Sequence, residues 1–185
     1  MAAPERRRLF FALWPDPAVS TRLAAAARAA HALCGGRLMR RDSLHLTLVF
    51  VGAVTEPLVD KLQRAASLVR AEAFSLSFER YGCWQRKGIV WAGCAASSPL
   101  SDLVGQLAGR LVEAGLTLER REFAAHLTLL RNARCVDLPQ LSAIDWPVAE
   151  FVLVESQLAA SAGGYSIIGR WPLLAPPQSW QPEIS

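Results

Sequence analysis

The tetrapeptide His-Leu-Thr-Leu occurs twice, at residues 45–48 and again at 126–129. The chain of 185 residues has three histidines, and the two copies take two of them. Each copy lies in an apolar stretch that reads as a strand, Leu44 to Val51 and Phe123 to Arg131. Side chains alternate faces along a strand and each residue rises about 3.3 Å. His45 and Thr47 therefore share one face, about 6.6 Å apart, while Leu46 and Leu48 turn into a core. His126 and Thr128 repeat the pattern. A fold that sets the two strands side by side near a pseudo-twofold axis brings two imidazoles and two hydroxyls into one groove.

The rest of the chain alternates strands and helices. Arg7 to Leu13 is a short aromatic strand closed by Pro15. Asp16-Pro17 is a helix N-cap and first-turn signal for an Ala-rich helix over 17–33, ended by Gly35-Gly36. A basic loop, Arg37 to Asp42, leads to the first repeat. A second helix is predicted over about 56–71, and Phe74, Leu76 and Phe78 alternate with polar residues as a half-buried strand. Gly88 to Cys94 is its hairpin partner, joined through Gln85-Arg86-Lys87. A third helix opens at Ser98-Pro99 and stops at Gly115. After the second repeat come a strand from Phe151 to Leu158, a turn at Ser161-Ala162-Gly163-Gly164, a returning strand from Tyr165 to Leu173, and a Pro-rich tail from Ala175. No linker divides the chain, so residues 1–185 read as one α+β domain with antiparallel sheets.

Composition removes several classes. Apolar residues are 52% and charged ones 19%, which suits a packed core and excludes disorder. No apolar run approaches 18 residues, so no membrane helix is expected. The run Leu9–Trp14 after three arginines is too short for a secretory signal, and the chain is expected in the cytoplasm. The net charge of +4 permits an anionic partner. Of 20 basic residues only Lys61 and Lys87 are lysine, and arginine favours bidentate phosphate contacts. Cys34, Cys83, Cys94 and Cys135 are scattered without zinc spacing and are expected as reduced, structural thiols, with Cys83 and Cys94 near each other on a hairpin.

The paired motif suits phosphoryl chemistry. Imidazole titrates near neutral pH, so one copy serves as base and the other as acid. Each threonine hydroxyl donates to a non-bridging phosphoryl oxygen. With no carboxylate in either motif, and only two histidines, neither a magnesium nor a zinc site is suggested; no metal and no cofactor are expected. A single His-x-Thr in a strand would be ordinary packing, and it is the duplication that carries the functional reading. His31, in the Ala-rich helix, reads as boundary packing.

These residues resemble the two-histidine (2H) phosphoesterase superfamily, and most closely its RNA 2′,3′-cyclic phosphodiesterases, historically called 2′-5′ RNA ligases. The similar segments are Arg8–Ala12, Leu44–Leu48 with Gly52, Val90-Trp91 with Gly93, His126–Arg131, and Gly169-Arg170-Trp171. One departure is Ala124-Ala125, where the family often has a His-Pro pair. The resemblance implies two similar lobes of antiparallel sheet with helices outside and a groove between them. It implies metal-free opening of a 2′,3′-cyclic phosphate on an RNA 3′ end, or on a small cyclic nucleotide, to a 2′-phosphate. In that scheme His126 activates water and His45 protonates the leaving 3′ oxygen. The chain is separately expected to act as a monomer.

Secondary candidates flank the motifs. Simple alternation puts Arg131 on the face opposite His126, so it reaches the groove as a phosphate or sugar contact only if the strand ends or twists there. Arg40 and Arg41, before the first copy, and Arg121, near the second, are further basic candidates. Trp84, Trp91 and Tyr165 could stack on a base, although Trp91 reads first as core. Gly105 and Gly109 read as a close helix-packing site at most. Two other functions fit the same groove: a module that holds an RNA end without turnover, and 2′-5′ ligation, which needs a 5′-hydroxyl strand in place of water.

Overall fold

The protein is described here by a computed structural model covering residues 6–118, 123–134, 136–157 and 164–175. The expected turn at Ser161–Gly163, the strand end at Leu158, Arg121, Cys135 and the tail beyond Ala175 lie outside the described residues. Within them are nine strands and three α-helices: β1 (Arg7–Leu13), α1 (Pro17–Cys34), β2 (Arg37–Leu38), β3 (Leu46–Val54), α2 (Glu56–Ala66), β4 (Phe74–Trp84), β5 (Ile89–Cys94), α3 (Ser98–Glu113), β6 (His126–Arg131), β7 (Ile144–Val148), β8 (Glu150–Gln157) and β9 (Gly164–Pro172). The α+β class is as expected.

The sheet order is β7-β4-β5-β6-β3-β1-β8-β9, antiparallel throughout, with β2 beside β6. This is two four-stranded lobes, β7-β4-β5-β6 and β3-β1-β8-β9, meeting where the two His-Leu-Thr-Leu strands meet. The junction is a single register pair, Leu46 opposite Leu127. Beyond it β6 pairs with β2 instead, through Leu38 and Leu130. A sheet joined at one pair can curl sharply there, and the two halves form the walls of a groove.

Local chemistry explains the elements. Asp16 accepts from the Val19 N–H at 2.8 Å and Pro17 opens α1. Ser97 caps α3 through the Leu100 N–H. Gly88, at φ +57°, takes the left-handed position that turns β4 into β5. The helix α2 stops at Ala66, short of the expected 71, because Leu68 and Val69 bond back only three residues, to Ala65 and Ala66. The strand β7 was not legible because Pro147 interrupts it. A proline is tolerated there because β7 is an edge strand.

The helices cover one face of the sheet. Phe11, Phe78 and Phe151 are fully buried beneath them, each contributing about 1.5–3 kcal/mol. The Tyr81 hydroxyl donates to the Ala26 carbonyl and fixes α1 to the second lobe. Gln63 of α2 donates to the Ile168 carbonyl of β9 in the first lobe. On the opposite face a small apolar cluster, Phe10, Ala12, Val152 and Val154, lies on the groove side with Trp14 and Tyr165 against it.

Three expectations are corrected. Cys34 and Cys94 are buried free thiols, but Cys83 is disulfide-bonded, and Cys94 pairs across the sheet with Phe78 at the far end of the hairpin from Cys83. Gly105 and Gly109 are not a packing site, since a Cβ at either would meet nothing within 4 Å. Trp91 is not core; it is half-buried and faces the groove. No helix among the described residues is long and apolar enough to cross a membrane.

Candidate functional site

The register at Leu46–Leu127 organises the site. Carried one residue either way, it sets His45 across from Thr128 and Thr47 across from His126. The two histidines are then diagonal neighbours, with backbones about 7–8 Å apart. His45, Thr47, His126, Thr128 and Arg131 line one cavity of about 100 Å³, with Ser43 at its edge. All five residues singled out in the sequence therefore meet.

Arg131 reaches the cavity through a β-bulge. Along β5–β6, Val90 pairs with Leu130 but Trp91 pairs with Thr128, so β6 carries one extra residue at Leu129. The extra residue shifts the alternation, so Leu129 and Leu130 are both fully buried and Arg131 returns to the face of His126 and Thr128. The first copy has the same bulge. Phe11 pairs with Val49 and Ala12 with Thr47, leaving Leu48 as the extra residue. Leu48 and Val49 are accordingly both buried, and Phe50 emerges where Arg131 does in the other lobe. The pseudo-symmetry is one of backbone; the chemistry at this position differs, an exposed aromatic under Arg8 against a guanidinium.

Both imidazoles are held in the same way. His45 Nδ1 lies 2.8 Å from the Ser43 carbonyl oxygen, and His126 Nδ1 lies 2.7 Å from that of Ala124, each two residues back. A carbonyl only accepts, so Nδ1 carries the hydrogen and Nε2 is left for proton transfer. The contact at Ala124 uses backbone, so the missing His-Pro pair does not disturb it.

Aromatic rings wall each histidine. Trp14 stacks on His45 with ring centres 5.2 Å apart and planes at 4°, Phe10 lies at 4.8 Å, and Tyr165 meets it edge-on at 5.2 Å. Trp84 meets His126 edge-on at 4.5 Å. Burial disfavours the charged imidazolium. It pushes His45 down to about 4, with the Arg131 guanidinium adding a smaller push, and it lowers His126 as well. Both are neutral near pH 7 in the free protein.

Phe10 and Trp14 were not singled out in the sequence. The signal was there: Phe10 and Ala12 alternate along β1, Trp14 continues the alternation just past its end, and all three lie on the groove side. Arg40 and Arg41 do not reach the cavity. Arg40 is paired with Asp42, and Arg41 lines a separate space beside Trp14. Among the described residues no three His, Cys, Asp or Glu side chains cluster as metal ligands.

Known proteins share this architecture. A profile of the "LigT like Phosphoesterase" family matches residues 13–91. The RNA 2′,3′-cyclic phosphodiesterase of Escherichia coli strain K12 is 33% identical over 142 residues, 75% of this chain and 80% of that protein. The Archaeoglobus fulgidus protein of the same name is 28% identical over 69% of this chain and 73% of its own. The crystal structure of E. coli LigT complexed with 3′-AMP superposes with a TM-score of 0.84 at 30% identity, covering 91% of this chain and 99% of LigT. The fold is that of a two-histidine phosphoesterase. Within that superfamily, the chain belongs to the LigT-like family of RNA 2′,3′-cyclic phosphodiesterases.

Proposed function

We propose that this protein opens 2′,3′-cyclic phosphates on RNA 3′ ends, leaving a 2′-phosphate, by general acid–base catalysis between His126 and His45. The observation that carries the reading is the single small cavity that receives a His-Thr pair from each lobe and Arg131 from the bulge. Water attacks phosphorus and gives its proton to His126 Nε2. The bond from phosphorus to the 3′ oxygen breaks in line, and His45 Nε2 protonates that oxygen. Thr47 and Thr128 donate to the non-bridging oxygens, and Arg131 offsets their growing charge. His45 is neutral in the free protein, so it takes up its proton with the substrate, whose negative charge offsets the burial that otherwise disfavours imidazolium. No step calls for a metal.

The chain acts as one bilobal unit and as a monomer in the cytoplasm; gel filtration of the purified protein tests the monomer. The activity is tested by incubating it with a short RNA ending in 2′,3′-cyclic phosphate, with EDTA present. A 2′-phosphate product at an undiminished rate is expected. Tight binding of the RNA end without turnover would favour a binding module, and loss of activity restored by one divalent metal would overturn the metal-free scheme.

A further inference from the structure

Arg37 and Arg131 stand directly opposite each other where β2 meets β6. Like charges in that position repel and weaken the pairing. Neither guanidinium has a carboxylate partner or a hydrogen bond among the described residues to relieve the repulsion. Other arginines of the chain are paired: Arg7 with Glu56 and Glu155, Arg110 with Glu113, and Arg170 with Glu150. Arg131 lines the small cavity, and so does Met39, two residues after Arg37. Alternation therefore puts Arg37 on the groove side as well.

The backbone brings three more bases to the same place. The Ala133 N–H donates to the Gly88 carbonyl and the Arg134 N–H to that of Cys34, each at 2.9 Å. The approach is too close for side chains at two positions. A Cβ on Gly36 would stand 2.7 Å from the Arg131 carbonyl oxygen, and one on Gly88 3.1 Å from that of Ala133. Arg86 and Lys87 sit in the turn before Gly88, Arg134 follows β6, and all three are exposed without an ion pair among the described residues. No acidic residue occurs in 34–41, 85–90 or 129–134. Asp42 already holds Arg40, and Asp137 lines a separate cavity with Glu79 and Arg80. These five positive charges exceed the +4 of the whole chain, so the remainder is close to neutral and the field is concentrated beside the site. Lys87 links the cluster to the chemistry. Its ammonium lies 5.7 Å from the centre of the Trp84 ring, which meets His126 edge-on. Burial first, then Arg131 and Lys87, hold His126 below its ordinary value, so the charge on the turn is felt at the imidazole.

A cyclic phosphate carries one negative charge, and Arg131 meets it inside the cavity. Four further cations are more than that group needs. A terminal nucleotide continues only on its 5′ side, and each nucleotide added there brings one more phosphate. We propose that Arg37, Arg86, Lys87 and Arg134 form a track for the RNA backbone, taking the phosphates on the 5′ side of the reacting end. Such contacts position a strand without reading its bases. The enzyme therefore selects the ends of RNA chains over free cyclic nucleotides, whatever the sequence. The inference rests on reading the small cavity as the phosphate site.

The test is calorimetric binding of three ligands at 50 and 200 mM salt: hexaadenylate ending in a 2′-phosphate, the same hexamer with uncharged methylphosphonate linkages, and adenosine 2′-monophosphate. The proteins are the wild type, Arg37→Gln/Arg134→Gln, Arg86→Gln/Lys87→Gln, and a control on the outer helix α2, Lys61→Gln/Arg64→Gln. Circular dichroism and thermal melting establish that each is folded. Single strands lose affinity with a logarithmic salt slope of about −0.7 per phosphate neutralised. Three or four contacts give the wild type a slope of about −2 to −3 for the charged hexamer, a loss of about 15- to 60-fold between the two salt concentrations. Each double variant on the track should flatten that slope by about 1.4, and the control should not. The uncharged hexamer should bind like the mononucleotide. Equal affinity for the charged hexamer and the mononucleotide in the wild type would overturn the proposal, as would an unchanged slope in both track variants or full affinity for the uncharged hexamer. Turnover of the cyclic end is followed on the same proteins. Salt-sensitive hexamer binding without hydrolysis would leave the track and remove the phosphodiesterase reading; hydrolysis with no preference for the hexamer would do the reverse.

Discussion

Leu46 and Leu127 face each other as the one register pair that joins the two lobes. Both are fully buried on the helix side of the sheet. Their neighbours on either side, His45 with Thr128 and Thr47 with His126, therefore turn to the groove. A one-residue slip at this pair would move every one of these side chains to the other face. Core packing of two leucines thus fixes the relative position of the proposed acid and base, and the bulges at Leu48 and Leu129 then decide what else reaches the site.

His45→Ala and His126→Ala should each lower kcat by about 10²–10⁴, the range for a positioned acid or base. The double variant should fall at most a few-fold below the worse single one, because the pair acts as a unit. A substrate with an activated leaving group at the 3′ oxygen needs little protonation. It should rescue His45→Ala and leave His126→Ala impaired. Rescue of the opposite variant would exchange the two roles, and near-normal turnover in either single variant would remove the mechanism.

The pH profile should separate the free protein from its complex. The free protein holds His45 near 4 and His126 below its ordinary value, both through burial. The active form needs a protonated acid and a neutral base, so kcat/KM should peak below about pH 6.5, where protonated acid is still available. Bound phosphate favours the imidazolium, so the alkaline limb of kcat should lie at higher pH than that of kcat/KM. These limbs report the coupled pair, since two neighbouring imidazoles titrate together. Coincident limbs, or a kcat/KM optimum above pH 7.5, would contradict proton uptake with substrate.

The two motif strands, the start of α1 at Asp16-Pro17, the opening of α3 at Ser98-Pro99 and the α+β class were open to reading because each depends on residues close in sequence. Asp16 caps the helix that follows it, and His45 and Thr47 share a face by alternation alone, whereas the cap of α3 is Ser97, one residue before the expected opening. What depended on pairing was harder to see. Arg131 sits on the wrong face by simple alternation and reaches the groove only through the bulge at Leu129. The doublets Leu48-Val49 and Leu129-Leu130, two apolar residues where one polar was due, were the local trace of both bulges. Trp91 is aromatic in a strand and reads as core; only Gly82 across on β4 and Gly93 two residues on in β5 leave room for its ring on the groove face. Cys83 kept a disulfide that no spacing announced.

Arg131→Ala should lower kcat/KM by about 10- to 150-fold, from about 1.5–3 kcal/mol for hydrogen bonds to a charged oxygen. Lysine should restore part of this as a point charge without the planar fork. The same substitution should raise the titration midpoints of both histidines, because the guanidinium works with burial to hold them down. Proton NMR of the imidazole CH resonances reads both. Full activity in Arg131→Ala would place the bulge outside the chemistry.

Trp14 should set the proton affinity of His45 and, through it, acid stability. The indole stacks on the imidazole, and with Phe10 and Tyr165 it keeps water from the ring. An unfolded histidine titrates near 6.5, whereas His45 in the fold is held at about 4. Between these values the native state binds fewer protons than the unfolded chain, so stability rises with pH across that window. The fold therefore has its full stability above about pH 6.5 and loses it as the pH falls toward 4. At about 1.4 kcal/mol per pKa unit, the loss from His45 is at most about 3–4 kcal/mol. His126, also lowered by burial, adds in the same direction. Trp14→Ala wets the imidazole, so the His45 midpoint should move up toward 6.5. Urea unfolding should then show a smaller difference between pH 7.5 and pH 4.5, even though the variant is less stable than wild type at pH 7.5. A His45 midpoint that does not move in Trp14→Ala would show that this stack is not what keeps the imidazole neutral.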